Sequence, residues 1–126
     1  MNRGARFFKC DLHLHTPADR YFTPYKSQVD KSLVKEYIRK LKEKGIEVGA
    51  ITDHNRFYLE WFEALSKEAS KEGIYIFPGV EISVGEGKEV HLLVIFSEEK
   101  KDKIVDFVSP RQPGVSTLIR ETHNLI

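Results

Sequence analysis

The chain has 126 residues and a mass of 14.6 kDa, a length that fits one domain and leaves no room for two. Hydrophobic residues make up 40% and charged residues 31%, which excludes a disordered chain. Twenty basic against 19 acidic residues leave a net charge of +1, which argues against a protein held on nucleic acid mainly by positive charge. No apolar run approaches the ~20 residues of a membrane span, and no apolar core of a secretory signal precedes Asp11. The single cysteine, Cys10, excludes an internal disulfide and points to a reducing, cytoplasmic compartment.

In chain order, residues 7–15 alternate and predict a strand, and residues 16–29, with Pro17 and Pro24, predict a loop. Asp30 caps a helix running to Lys44, whose stripe is Leu33, Val34, Tyr37, Ile38 and Leu41. Val29 and Val34 fit a hydrophobic staple around the cap, and Gly45 ends the helix. Residues 46–52 read as a buried strand. A second helix over 56–72 carries Tyr58, Trp61, Phe62, Leu65 and Ala69 on one face and ends at Gly73. Residues 74–83 read as another strand. The two helix–glycine–strand units repeat at a spacing of 28 residues, from Gly45 to Gly73. Asp53 and Glu81 therefore fall at the same height near the C-terminal ends of parallel strands, where α/β folds build their sites. Gly85-Glu86-Gly87 then reads as a three-residue hairpin turn, which predicts Val84 opposite Lys88, Ile82 opposite Val90 and Glu81 opposite His91. Residues 98–108 read as helical. Pro110, Pro113 and Gly114 break that helix, and Ser116 opens a last one that ends on Leu125 and Ile126.

In a strand, alternate side chains share a face. Asp11, His13 and His15 thus point one way, while Cys10, Leu12 and Leu14 point the other, with Cys10 a small core residue. Two imidazoles two residues apart, roughly 6.5–7 Å between Cα atoms, either converge on one ion or adjacent ions or line a solvent face. Thr52-Asp53-His54 either joins that site or supplies a cap for the second helix through Asp53 or Asn55. Glu81, inside an apolar strand, requires a partner, a proton or a cation. His91 is either a core residue or a ligand. Four histidines and a glutamate on strands whose faces can converge form a mixed imidazole–carboxylate set that suits Zn²⁺, Mn²⁺ or Fe²⁺.

Taken in order, DLHLHT, ITDHN, GVEIS and VHLLV resemble the successive N-terminal motifs of the PHP family, the polymerase and histidinol phosphatase domain, over residues 10–95. The resemblance implies an α/β fold, a partial, distorted (β/α)7 barrel with a β-hairpin after its third strand. It implies one to three divalent transition-metal ions, Zn, Mn or Fe, at the C-terminal ends of the strands. His13 and His15 match the first pair of ligands, His54 that of the second motif, Glu81 the bridging glutamate and His91 the histidine of the next strand. Asp11 and Asp53 match flanking acids that orient ligands. Arg20 occupies a place where relatives often carry a further ligand, and Asp19, one residue early, is the alternative. The family's later His or Cys and its final Asp-x-His have no counterpart after His91, and His123 reads as a surface residue. The chain therefore reads as a single PHP-like domain over 1–126, truncated at its C-terminus.

The implied function is divalent-metal-dependent hydrolysis of a phosphate ester by metal-activated water. The alternative is a catalytically degenerate metal-binding module with a structural or regulatory role. Arg56, read at the start of the second helix, where free N–H groups favour phosphate, and Arg20 and Lys26 in the first loop are the phosphate-binding candidates. The expected partners are a phosphate-ester substrate, either a small molecule or a nucleic-acid end, and a second copy of the chain or a missing C-terminal half.

Overall fold

The computed structural model describes residues 5–108 apart from Gly87. The last predicted helix, its apolar end and His123 lie outside the described residues. Strand β1 spans Cys10–Leu14 and is followed by helix α1, Lys31–Glu43. Asp30 opens α1 as expected, its Oδ1 accepting the N–H groups of Ser32 at 3.0 Å and Leu33 at 3.2 Å. Val34, Ile38 and Leu41 are buried along the predicted stripe. Helix α2, Leu59–Lys71, buries Trp61, Phe62, Leu65 and Ala69. Gly45 and Gly73 end the two helices at φ 72°, which glycine adopts without strain.

Helix α2 starts three residues later than expected, with Tyr58 before it and no side-chain cap. Asp53 and Asn55 do not cap it because they are engaged elsewhere, by Thr16 and Ser83 respectively.

Each of the two repeated strands is broken rather than continuous. Strands β2, Val48–Ile51, and β4, Tyr75–Phe77, lie in a parallel sheet of order β1-β2-β4. Strands β3, Asp53–His54, β5, Gly79–Glu86, and β6, Lys88–Ile95, form a second sheet of order β3-β5-β6. Pro78 sits at one break, where its missing N–H cannot serve a ladder and its carbonyl accepts Phe96 N–H at 2.8 Å. Thr52 sits at the other and donates its N–H to Leu14 O at 2.7 Å. Gly79 lies where the sheets meet. A Cβ there would fall 2.7 Å from Val94 O and 2.9 Å from Ile51 O, so only glycine fits without a shift of backbone.

Two predicted registers differ from the structure. The parallel pairs Val48↔Tyr75, Asp53↔Val80 and His54↔Glu81 are each 27 residues apart, not 28. The chain takes three residues from Gly45 to Val48 but two from Gly73 to Tyr75, so Glu81 lies opposite His54 instead of Asp53. In the hairpin, Glu81 pairs with Leu93 and Ser83 with His91, and pairing continues to Glu86↔Lys88. That register is displaced by two residues from the three-residue-turn expectation. An even displacement leaves every side chain on its face, so Glu81 and His91 remain on one face, diagonal rather than opposed.

A final 3-10 turn, Glu98–Lys100, leads into α3, Lys101–Phe107, and Ile104 of α3 joins the core with Phe96. Cys10 is exposed, a correction to its reading as a core residue. It shares that environment with Leu12, because β1 is an edge strand and no described element covers that part of it. Among the described residues, no helix is long and apolar enough to cross a membrane.

Candidate metal centre

Strand β5 carries Glu81 between Val80 and Ile82, all three buried. Its carboxylate reaches into a group of imidazoles. Oε1 lies 2.6 Å from His13 Nε2, and Oε2 lies 2.5 Å from His54 Nε2 and 3.6 Å from His91 Nδ1. The ladder pair His54↔Glu81 and the diagonal from β6 bring these groups together. On the other side of His54, the loop after β1 supplies Asp19, which is 2% exposed. Its Oδ2 accepts His54 N–H at 2.9 Å, and lies 2.9 Å from His54 Nδ1 and 3.3 Å from His15 Nδ1. The rings of His15 and His54 stack at 4.5 Å. Ligand atoms of His13, His15 and Glu81 lie within 4.8 Å of one another, and so do those of His15, Asp19 and His54. These are two overlapping triads sharing His15.

Of the residues the sequence singles out, His13, His15, His54, Glu81, His91 and Asp19 converge. Asp53 stands behind His15 at 3.7 Å; its two oxygens accept Thr16 N–H at 2.7 Å and Thr16 Oγ1–H at 2.6 Å. Asp11 does not reach the cluster through the contacts observed. Its Oδ1 turns back to accept His13 N–H at 3.1 Å. Arg20 and Lys26 are exposed in the first loop. Arg56 is not at a helix N-terminus, because residues 55–58 are used in the turn before α2; its guanidinium lies over the Tyr58 ring at 5.5 Å.

The structure adds residues that sequence reasoning missed. Thr16 is fully buried and ties the end of β1 to Asp53. Its signal was its place directly after the last histidine of DLHLHT. Asn55 has φ 53°, a left-handed conformation that asparagine tolerates better than most residues. Its N–H donates to Glu81 O at 2.7 Å, and its Oδ1 accepts Ser83 N–H at 2.9 Å. The Asn55 side chain thereby extends the β3–β5 ladder past His54. Tyr37 donates its hydroxyl to His15 O at 2.8 Å, and burial raises its pKa, keeping it a donor. The Tyr21 ring packs 4.4 Å from the His54 ring, and nothing in the sequence pointed to that contact.

The electrostatics follow from the packing. The Asp53 carboxylate raises the His15 pKa against the opposing effect of burial, with Asp19 and Glu81 adding to the rise. Burial raises Asp53 itself, opposed by His15 and Thr16. Asp19 is lowered: burial opposes ionisation, but the N–H groups of Tyr21 and His54 and the His54 ring together outweigh it.

The sequence model of the PHP domain family matches residues 11–114, most of the chain and all four motifs. The chain belongs to the PHP domain family. No curated protein matches it. Among solved structures, an amidohydrolase from Chromobacterium violaceum, with sulfate bound and no metal, is 26% identical with a TM-score of 0.51 over 69% of this chain. A candidate metal-dependent phosphoesterase from Bifidobacterium adolescentis is 16% identical with a TM-score of 0.57 over 81% of this chain. The chain spans only 27% and 32% of the length of those proteins respectively.

The PHP residues fit a cation by a criterion internal to the structure. His15 Nδ1 and Glu81 Oε2 are buried without a hydrogen-bond partner, although carboxylate or ring atoms lie close to both. Buried polar atoms are almost always hydrogen-bonded, and an unpaired buried carboxylate oxygen is costly. Lone pairs that converge without aligned hydrogens are the donor set a divalent ion requires, and imidazole plus carboxylate suits the first-row transition metals.

Proposed function

We propose that this PHP domain is a divalent-metal-dependent phosphoesterase, with His13, His15, Asp19, His54, Glu81 and His91 holding one to three ions of Zn, Mn or Fe. The observation that carries the reading is the buried Glu81 carboxylate, whose Oε1 faces His13 and whose Oε2 lies beside His54 and His91 without an aligned hydrogen bond. Bound there, a divalent ion supplies Lewis acidity: it lowers the pKa of a water and offsets charge developing on a phosphate. The chain's own residues prepare that chemistry. Asp19 orients His54 through both ring and backbone, Asp53 and Thr16 fix the wall behind His15, and Asn55 locks His54 and Glu81 in register. Arg20 and Arg56, both exposed, supply guanidiniums suited to bidentate binding of phosphate oxygens.

In the same reading the two sheets are the first staves of a distorted (β/α)7 barrel. Strands β1 and β6, which carry His13 and His91, are each an outer strand of their sheet. A second copy of the chain or a C-terminal half would cover them, in the cytoplasm, and the substrate is a small phosphate ester or a nucleic-acid end. The Chromobacterium amidohydrolase was solved with sulfate bound, a tetrahedral oxyanion of the class this reading expects as ligand. The test is hydrolysis of a panel of phosphomonoesters and nucleic-acid ends by protein stripped with chelator and reloaded with Mn²⁺ or Zn²⁺. Turnover restored by metal supports the proposal. Metal binding with no turnover of any ester would favour the structural or regulatory module instead.

A further inference from the structure

Tyr21 is 78% exposed, yet it is not a loose surface residue. Its N–H donates to Asp19 Oδ1 at 2.9 Å, and the following N–H, of Phe22, donates to Asp19 O at 2.9 Å. Asp19 is buried, and its other carboxylate oxygen holds His54. One carboxylate thus fixes both the histidine and the backbone that presents the tyrosine. The Tyr21 ring centroid lies 4.4 Å from that of His54 at an interplanar angle of 51°. It is therefore not a third layer of the parallel His15–His54 stack, whose angle is 10°. A tilted ring supported along one side and largely open to solvent leaves aromatic surface free beside the cluster.

We propose that Tyr21 is a specificity residue: an aromatic platform against which the planar organic group of an aryl phosphate ester packs while its phosphate sits at the His/Asp/Glu cluster. This rests on the phosphoesterase reading and adds a substrate class to it. Aromatic rings attract one another in offset or tilted arrangements beyond their area of contact, and a side chain anchored beforehand gives that attraction without a further ordering cost. An alkyl ester offers the platform no ring, so Tyr21 separates the two classes. The contribution comes from the ring and not from the phenol hydroxyl.

The probes are phenylphosphonate and methylphosphonate, which share the oxyanion and are not hydrolysed, titrated calorimetrically into Mn²⁺-loaded protein. The wild type is expected to bind phenylphosphonate about tenfold more tightly, a ratio at the upper end of what an aromatic pair contributes. Tyr21→Ala should bring the ratio towards one with metal content unchanged, and Tyr21→Phe should retain it. A wild-type ratio near one, or a ratio that survives Tyr21→Ala, overturns the inference while leaving the phosphoesterase reading in place. Failure of metal-loaded wild type to bind either phosphonate overturns both.

Discussion

Thr16 and Asp53 form the most enclosed polar contact of the site, with both residues fully buried and both carboxylate oxygens engaged. Replacing Thr16 by Val keeps the shape but leaves one Asp53 oxygen without its hydroxyl donor. Such a buried unsatisfied acceptor costs about 1–3 kcal/mol, so Thr16→Val is expected to lower stability by that amount in denaturant titrations, while Thr16→Ser retains most of it. Asp19 makes a pH-dependent contribution. Its pKa is lowered in the folded chain below an unfolded value of about 3.9. The unfolded state therefore takes up the proton first as pH falls. The stabilisation is fully present above about pH 4 and is lost as pH falls through the folded pKa. Measured in chelator, the stability gap between wild type and Asp19→Asn is expected to shrink below about pH 4; a gap that stays constant into strong acid would contradict this assignment. His13, His15, His54, Glu81 and His91 were legible because histidine and glutamate are conspicuous on apolar strands. Thr16 and Asn55 were not, because a hydroxyl or an amide acquires its role only from a partner distant in the chain, Asp53 or Ser83.

At the scale of elements, both long helices could be read closely, since the 3.6-residue stripe and the terminal glycines act locally. The strands could be read only as runs. Whether β4 and β5 are one strand or two depends on how Pro78 meets Phe96, and the ladder offset depends on how many residues each glycine turn consumes before its strand begins. The hairpin register depends on how far pairing continues toward Gly87, which an apolar pattern on both sides of the turn does not specify. The face shared by Glu81 and His91 was predictable because side-chain alternation survives an even displacement. Gly79 marks the junction of the two sheets. Gly79→Ala places a methyl group against two backbone carbonyls that cannot rotate away, and is expected to destabilise by about 1–3 kcal/mol or more. Gly49→Ala meets first the Leu14 side chain, at 2.8 Å, which can change rotamer. Chemical denaturation should rank Gly79→Ala as clearly the more damaging, and equal effects would contradict the account of the junction.

For the whole molecule, the described sheets have β1 and β4, and β3 and β6, as their outer strands, with Phe7 and Leu12 exposed near β1 and Val90 and Leu93 exposed on β6. Unpaired strand edges flanked by apolar side chains favour pairing with another chain. Sedimentation of the chain is expected to show association that rises with concentration, and a stable monomer at high concentration would contradict that. The central claim, that this PHP domain's His/Asp/Glu cluster is a metal centre, is tested most directly by elemental analysis of protein purified without chelator. Wild type is expected to carry at least one transition-metal ion per chain. His54→Ala and Glu81→Gln should lose most of it while keeping helical circular dichroism, since α1 and α2 bury other residues. A wild-type protein that binds no transition metal even after incubation with Zn²⁺ and Mn²⁺, or metal content unchanged in both variants, would contradict the claim.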